Sequence, residues 1–381
     1  MAVKVVGQRN NGTKLFTLGF EHVQTEGSFK FCFDHACSMN TLVDDVGSFP
    51  LPPQTDQESF DRTYVLARKA LRNGKEVTSD DFLLNNFYQL TVDSFRKKVE
   101  TGLDLVNYPQ HYDMYKQLAD VLKEEMDKGT YLIDENQAFL PEVCVIKNEA
   151  KRLFEEFGKK VQLRVCILGP MDLYLREVGT VAYKDVLTMF AENVRRFAKN
   201  SILNSEYIKT AVVSLDEPSF GFREISTERE TIVDVLEKAF DFSGAVRQIH
   251  LHSPSRITDV LEVKNVDVLS FEYAASPKNI EGLSKKMLEQ ADKHVRVGIS
   301  RTDIDSIMAE LYERGISKPR VEDLAEDEAT IRKRFKAAKE KYGDRMTFTG
   351  PDCGLGGWPT QEAAQVLLRR TVNAVKNAES N

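Results

Sequence analysis

Eight short apolar runs predict an α/β chain, a (β/α)8 TIM barrel with an N-terminal β-hairpin extension. Each run ends in polar, glycine or proline residues, and most are separated by helix-like stretches. The runs are TLVDDVGSF, DLVNYP, LRVCILGP, AVVSLDEP, RQIHLH, VDVLSFE, VRVGIS and MTFTGP. Apolar strands alternating with helices form a parallel sheet covered on its outer face. A doubly wound open sheet also alternates, but it usually carries a Gly-rich phosphate loop after its first strand, and this sequence has none there.

Taken in order, residues 1–41 stand outside the pattern. KLFTLGFEHV and SFKFCFDHAC, separated by QTEG, read as a hairpin or cap, and residues 42–381 as the catalytic barrel. Cys32, His35 and Cys37 are close together in the extension. Their spacing is not that of a zinc knuckle, and alternation along a strand puts the two thiols on opposite faces. Residues 130–160 read as an extra segment inserted before the third strand. Val186, Phe190, Val194 and Phe197 repeat at helical spacing, as do Ile280, Leu283, Met287 and Ala291. Leu324, Ile331, Phe335, Ala338 and Tyr342 mark a last amphipathic helix, its stripe interrupted at Glu328.

A chain of 381 residues, 41% hydrophobic and 29% charged, is that of an ordinary globular protein. A net charge of −7 supplies no basic footprint and argues against nucleic acid as partner. No run approaches 18 uninterrupted apolar residues, and the N-terminus has no signal-peptide pattern. Five dispersed cysteines form no disulfide framework and suit a reducing cytoplasm.

In such a barrel, function sits at the C-terminal strand ends. Here these carry Val46-Gly47-Ser48, Asn107-Tyr108, Gly169-Pro170, Asp216-Glu217-Pro218, His250-Leu251-His252, Glu272, Ser300-Arg301 and Asp352-Cys353-Gly354. An imidazole, a carboxylate and a thiol at the ends of three strands meet at one point only if those strands are neighbours in one sheet. His252, Glu272 and Cys353 are therefore candidate ligands for zinc, which accepts N, O and S donors. A thiol held by such a cation is deprotonated near neutral pH and becomes a nucleophile. His250 could add a fourth ligand, or stand behind the site or in the core. Asp216 and Glu217 could do acid/base work or hold a substrate ammonium, or serve only at the rim. Ser48 lies on a turn whose amides could receive a carboxylate. Arg301 could bind an anion or form a salt bridge.

VGSFP, ILGP, LDEP, IHLH, FE and GPDCG, in that order, resemble the catalytic barrel of cobalamin-independent methionine synthase, over about residues 42–375. The likeness is to its short single-barrel forms. In that family zinc, held by His, Cys, Glu and Cys, binds the homocysteine thiolate that attacks a methyl donor. The resemblance implies zinc on His252, Glu272 and Cys353. It also implies Asp216 on the substrate ammonium and Val46 to Ser48 around the substrate carboxylate. The family's remaining cysteine falls on Pro254, which cannot ligate, so His250, Ser253, Ser255 or water would complete the shell. A family glutamate that binds the amino group falls loosely on Tyr108.

The expected activity is methyl transfer to a thiol, homocysteine by default. The donor implied is methylcobalamin or a corrinoid carrier protein rather than folate, because the chain lacks the length for the family's second barrel. The alternatives are a metal-free lyase or decarboxylase of the same barrel superfamily, with His252 and Asp216 as acid/base pair, and a non-catalytic corrinoid- or thiol-binding protein.

Overall fold

The computed structural model describes residues 40–380. The predicted hairpin, with Cys32, His35 and Cys37, lies outside them. All eight predicted strands form: β1 Leu42–Val43, β2 Val106–Asn107, β3 Val161–Leu168, β4 Ile208–Glu217, β5 Val246–Leu251, β6 Val268–Phe271, β7 His294–Ser300 and β8 Met346–Pro351. They make one parallel sheet in the order β1-β8-β7-β6-β5-β4-β3-β2. A single parallel bridge between Asp44 and Leu105 joins its two ends, so the sheet curls into a barrel. Parallel strands need crossover connections, and helices fill them here.

Residues two apart along a strand face the same side. Outward-facing residues such as Leu163, Val213, Ile249, Leu269 and Val297 are buried in the main apolar core with the helices. Inside the barrel, Leu105, Val212, Val246, Val268 and Phe348 form an apolar plug. Two residues further along come Ser214, Gln248 and Ser270, then Asp216 and His250, and then His252 and Glu272 at the mouth. A charged layer crosses the interior above the plug. Asp44 Oδ1 lies 2.6 Å from Arg296 Nε and its Oδ2 3.4 Å from Arg164 Nε, all three side chains fully buried.

Three local readings change. Ile280 sits on a 3-10 turn, Pro277–Gly282, and the regular helix Lys285–Ala291 starts only after Ser284, whose hydroxyl accepts from Met287 N. The last predicted amphipathic helix is two, Val321–Leu324 and Glu328–Tyr342. Asp327 caps the second by accepting from Thr330 N, so the chain breaks just before Glu328. The predicted insertion contains the helix Pro141–Phe157, opened by proline and closed by Gly158 at φ +65°.

Within that helix Glu142 is fully buried and accepts from His111 N at 3.0 Å and Gln117 Nε2 at 3.1 Å. Burial outweighs these donors and pushes its pKa up to about 8, from 4.5. A carboxyl raised in the folded state stabilises most below pH 4.5 and loses that contribution as pH climbs to 8. Glu142→Gln removes the titration, although its amide cannot accept both donors. The melting temperature of this variant is expected to gain on the wild type by roughly a few degrees between pH 5 and 9. Melting curves whose separation stays constant with pH would contradict this.

Candidate metal centre

Strands β5 and β6 are neighbours and β8 lies one strand further on, beyond β7; all three end at the barrel mouth and bring His252, Glu272 and Cys353 together. His252 Nε2 lies 3.6 Å from Glu272 Oε1 and 3.6 Å from Cys353 Sγ. The first separation is too long for a hydrogen bond. Both match the edge of a tetrahedron, about 3.3–3.8 Å, drawn around a cation with ligands at 2.0–2.3 Å. With His250 included, the four donor atoms all lie within 4.8 Å of one another. His252 and Glu272 are 32% and 18% exposed, so the centre opens to solvent.

Burial shapes the charge of every donor. It lowers the pKa of His252 and takes His250 well below the ordinary histidine value, leaving both imidazoles neutral with a lone pair to give. It lifts Glu272 to about 7, with Asp303 adding to the effect, and Cys353 to about 12, with Glu272 adding. Without a cation these groups resist ionising. A dication at their centre reverses that preference.

The surrounding backbone is tightly held. Asp352 accepts from the amides of Tyr273, Ala274 and Ala275 at 2.6–3.0 Å, fixing the turn that follows Glu272. Asn279 Nδ2 donates to the carbonyls of both His252 and Glu272, at 2.9 and 3.0 Å. One side chain thus spaces two candidate ligands. Sequence reading gave Asn279 no role; its only signal is an amide in the loop after FE.

The other predicted site residues divide. Asp216 faces the same interior, 4% exposed, and accepts from Ser214 Oγ at 2.7 Å. Burial lifts its pKa to about 6, opposed chiefly by Arg164. The loop of Val46, Gly47 and Ser48 is pinned from beneath by Lys98. That fully buried ammonium donates to Gly47 O at 2.9 Å and pairs with Asp45 at 2.5 Å. Ser48 O and Oγ accept from the amides of Leu355 and Gly356, joining this loop to the one that carries Cys353.

Glu217, Tyr108 and Arg301 are committed elsewhere. Glu217 points outward, and its carboxylate accepts from Met171 N and Asp172 N at the start of the helix Pro170–Glu177. Gly169 is required there, since a Cβ would overlap that carboxylate. Tyr108 is fully buried, its hydroxyl 2.9 Å from Cys166 O and 3.1 Å from Gln117 Oε1. Arg301 is held by Asp303 and Glu310, at 2.7 and 2.8 Å. The structure does not bring these three side chains into the donor cluster.

The chain is similar to known proteins in sequence and in fold. It is 29% identical over 174 residues to a methionine synthase of Methanothermobacter thermautotrophicus, a match covering 44% of this chain and 47% of the relative. It is 25% identical over 313 residues to a methionine synthase of Methanocaldococcus jannaschii, covering 74% of this chain and 95% of that one. The chain thus spans about half the length of the first relative and nearly all of the second. Its fold matches that of a B12-independent methionine synthase from Shewanella solved with selenomethionine, with a TM-score of 0.55 and 12% identity over 90% of this chain and 98% of the other. No protein-family model matches. The resemblance to the cobalamin-independent methionine synthase family, read from VGSFP through GPDCG, stands on these relatives. Among the described residues no helix is long and apolar enough to cross a membrane.

Proposed function

We propose that this chain is a zinc-dependent methyltransferase that activates a small thiol, homocysteine by default, and transfers to it a methyl group from methylcobalamin or a corrinoid carrier protein. The observation that carries this reading is the cluster of imidazole, carboxylate and thiol donors within 4.8 Å at the barrel mouth. His252, Glu272 and Cys353 would hold the cation. When bound, it lowers the pKa of a thiol and makes a nucleophile available at neutral pH. The mixed N, O and S set suits zinc.

The chain's own groups orient the acceptor. Asp216 offers a carboxylate beside the donors to an ammonium. The turn of Val46, Gly47 and Ser48, held rigid by Lys98 and by the Cys353 loop, offers backbone amides to a carboxylate. Asn279 and Asp352 keep the donors in place, so little geometry has to be organised on binding. With a methyl-corrinoid as donor, the acceptor sulfur would take the methyl group and the corrinoid would leave with the bonding electron pair. Tyr108 brings no second carboxylate to the ammonium, so a thiol other than homocysteine also fits the site.

The test is a screen of the zinc-loaded protein with homocysteine, cysteine and a simple alkyl thiol, each with methylcobalamin or methyltetrahydrofolate. Mass spectrometry would read the methylated product. Methionine formed from homocysteine and methylcobalamin is the expected result. Zinc-loaded protein that methylates no thiol from either donor would overturn the reading.

A further inference from the structure

We propose that His250, from within β5, supplies the fourth protein ligand of this metal site, in place of a donor from the loop that follows His252. The inference rests on the metal reading above. The loop has no donor to give. Pro254 has none, and it packs so closely on Gly282 that a Cβ there would come within 2.7 Å of the proline ring. Ser253 and Ser255 hydrogen-bond each other at 3.1 Å, and Ser255 Oγ also donates to Gly221 O. The loop turns its hydroxyls to itself and to the β4 loop.

His250 is in the opposite condition. Its side chain is 1% exposed, and Nδ1 lies 2.9 Å from Ser270 Oγ. Nε2 is buried with no hydrogen-bond partner among the described residues. A buried polar nitrogen left unpaired is costly and calls for an explanation. With Nδ1–H donating to Ser270, Nε2 carries a free lone pair, the tautomer a metal-binding imidazole needs. His250 offers a ring nitrogen to the same cluster as the His252, Glu272 and Cys353 donors. The two rings meet edge to face, with centroids 5.5 Å apart at 75°. A buried imidazole with an unpartnered nitrogen, in a residue that joins three convergent donors, has the chemistry of a fourth ligand.

The substitution changes the charge of the centre. Two neutral imidazoles, one carboxylate and one thiolate balance a dication, whereas a second thiolate would leave it negative. A neutral centre draws an anionic thiolate acceptor more strongly and lowers its pKa further. The thiolate is correspondingly less nucleophilic.

X-ray absorption at the zinc edge of the wild-type holoprotein counts imidazoles directly and needs no variant. Two imidazoles and one sulfur are expected. Zinc bound with a single imidazole overturns this inference and leaves the metal reading intact; wild type that takes up no zinc sinks both. As an independent measurement, His250→Ala is expected to lose about 10-fold or more in zinc affinity. It should also shift the visible bands of the cobalt-substituted protein, and adding Pro254→Cys should restore the affinity. A His250→Ala protein with unchanged affinity and bands would equally overturn it.

Discussion

Asp44→Ala is expected to destabilise the barrel by about 3–5 kcal/mol, the range for breaking a buried ion pair from one side. Asp44 stands between two guanidiniums that never see water: Arg296 at 2.6 Å and Arg164 at 3.4 Å, all fully buried. Arg164 is also held by Gln248 and by the carbonyls of Asp45 and Val46. These carbonyls satisfy its protons but not its charge. Removing the carboxylate leaves two like charges in a low-dielectric layer, at the seam where the bridge to Leu105 closes the sheet. A loss of that size is a large share of the roughly 5–15 kcal/mol that keeps a protein folded. The melting temperature should fall by on the order of ten degrees. Glu58→Ala, which breaks only an exposed pair with Arg62, should change stability by less than about 1 kcal/mol. A scanning-calorimetry drop for Asp44→Ala no larger than that of Glu58→Ala would show that the charged layer contributes nothing.

The second large effect is chemical. Cys353→Ser should lower thiol methylation by about 10^3-fold or more, because the cation's contribution to a reacting charge is several kcal/mol. Serine keeps the shape but not the soft, ionisable donor. The backbone around it is held by Asp352 and by Ser48, not by the thiol, so the variant should melt near the wild type. His252→Ala should match it in activity. Near-wild-type turnover in Cys353→Ser would place the chemistry elsewhere in the barrel. That result would favour a metal-free use of His252 and Asp216.

The strands were legible because a parallel strand buried on both faces writes itself as an apolar run ending in polar residues. LRVCILGP and AVVSLDEP appear as β3 and β4 for that reason. The mouth was legible because barrel chemistry gathers at strand ends, which is how His252, Glu272 and Cys353 could be paired from distant segments. What failed to show was direction and occupancy. In LDEP the two carboxylates look equivalent, yet strand alternation sends Asp216 inward and Glu217 out to cap a helix. For Arg301 the sequence left anion binding and a salt bridge open, and only the positions of Asp303 and Glu310 decide for the salt bridge. Arg164 and Arg296 interrupt apolar strands in plain sight, but only the closed barrel reveals that both face Asp44. The same holds for His250: its place in IHLH was clear, whereas its unpaired Nε2 exists only once Ser270 and the plugged interior surround it.

The central claim, that the barrel mouth is a metal site built to activate a thiol, is tested most directly by the metal content of the purified protein beside Cys353→Ser and His252→Ala. About one zinc per chain in the wild type, lost in both variants, is the expected result. A wild-type chain that carries no metal and takes up none when zinc is supplied would contradict it.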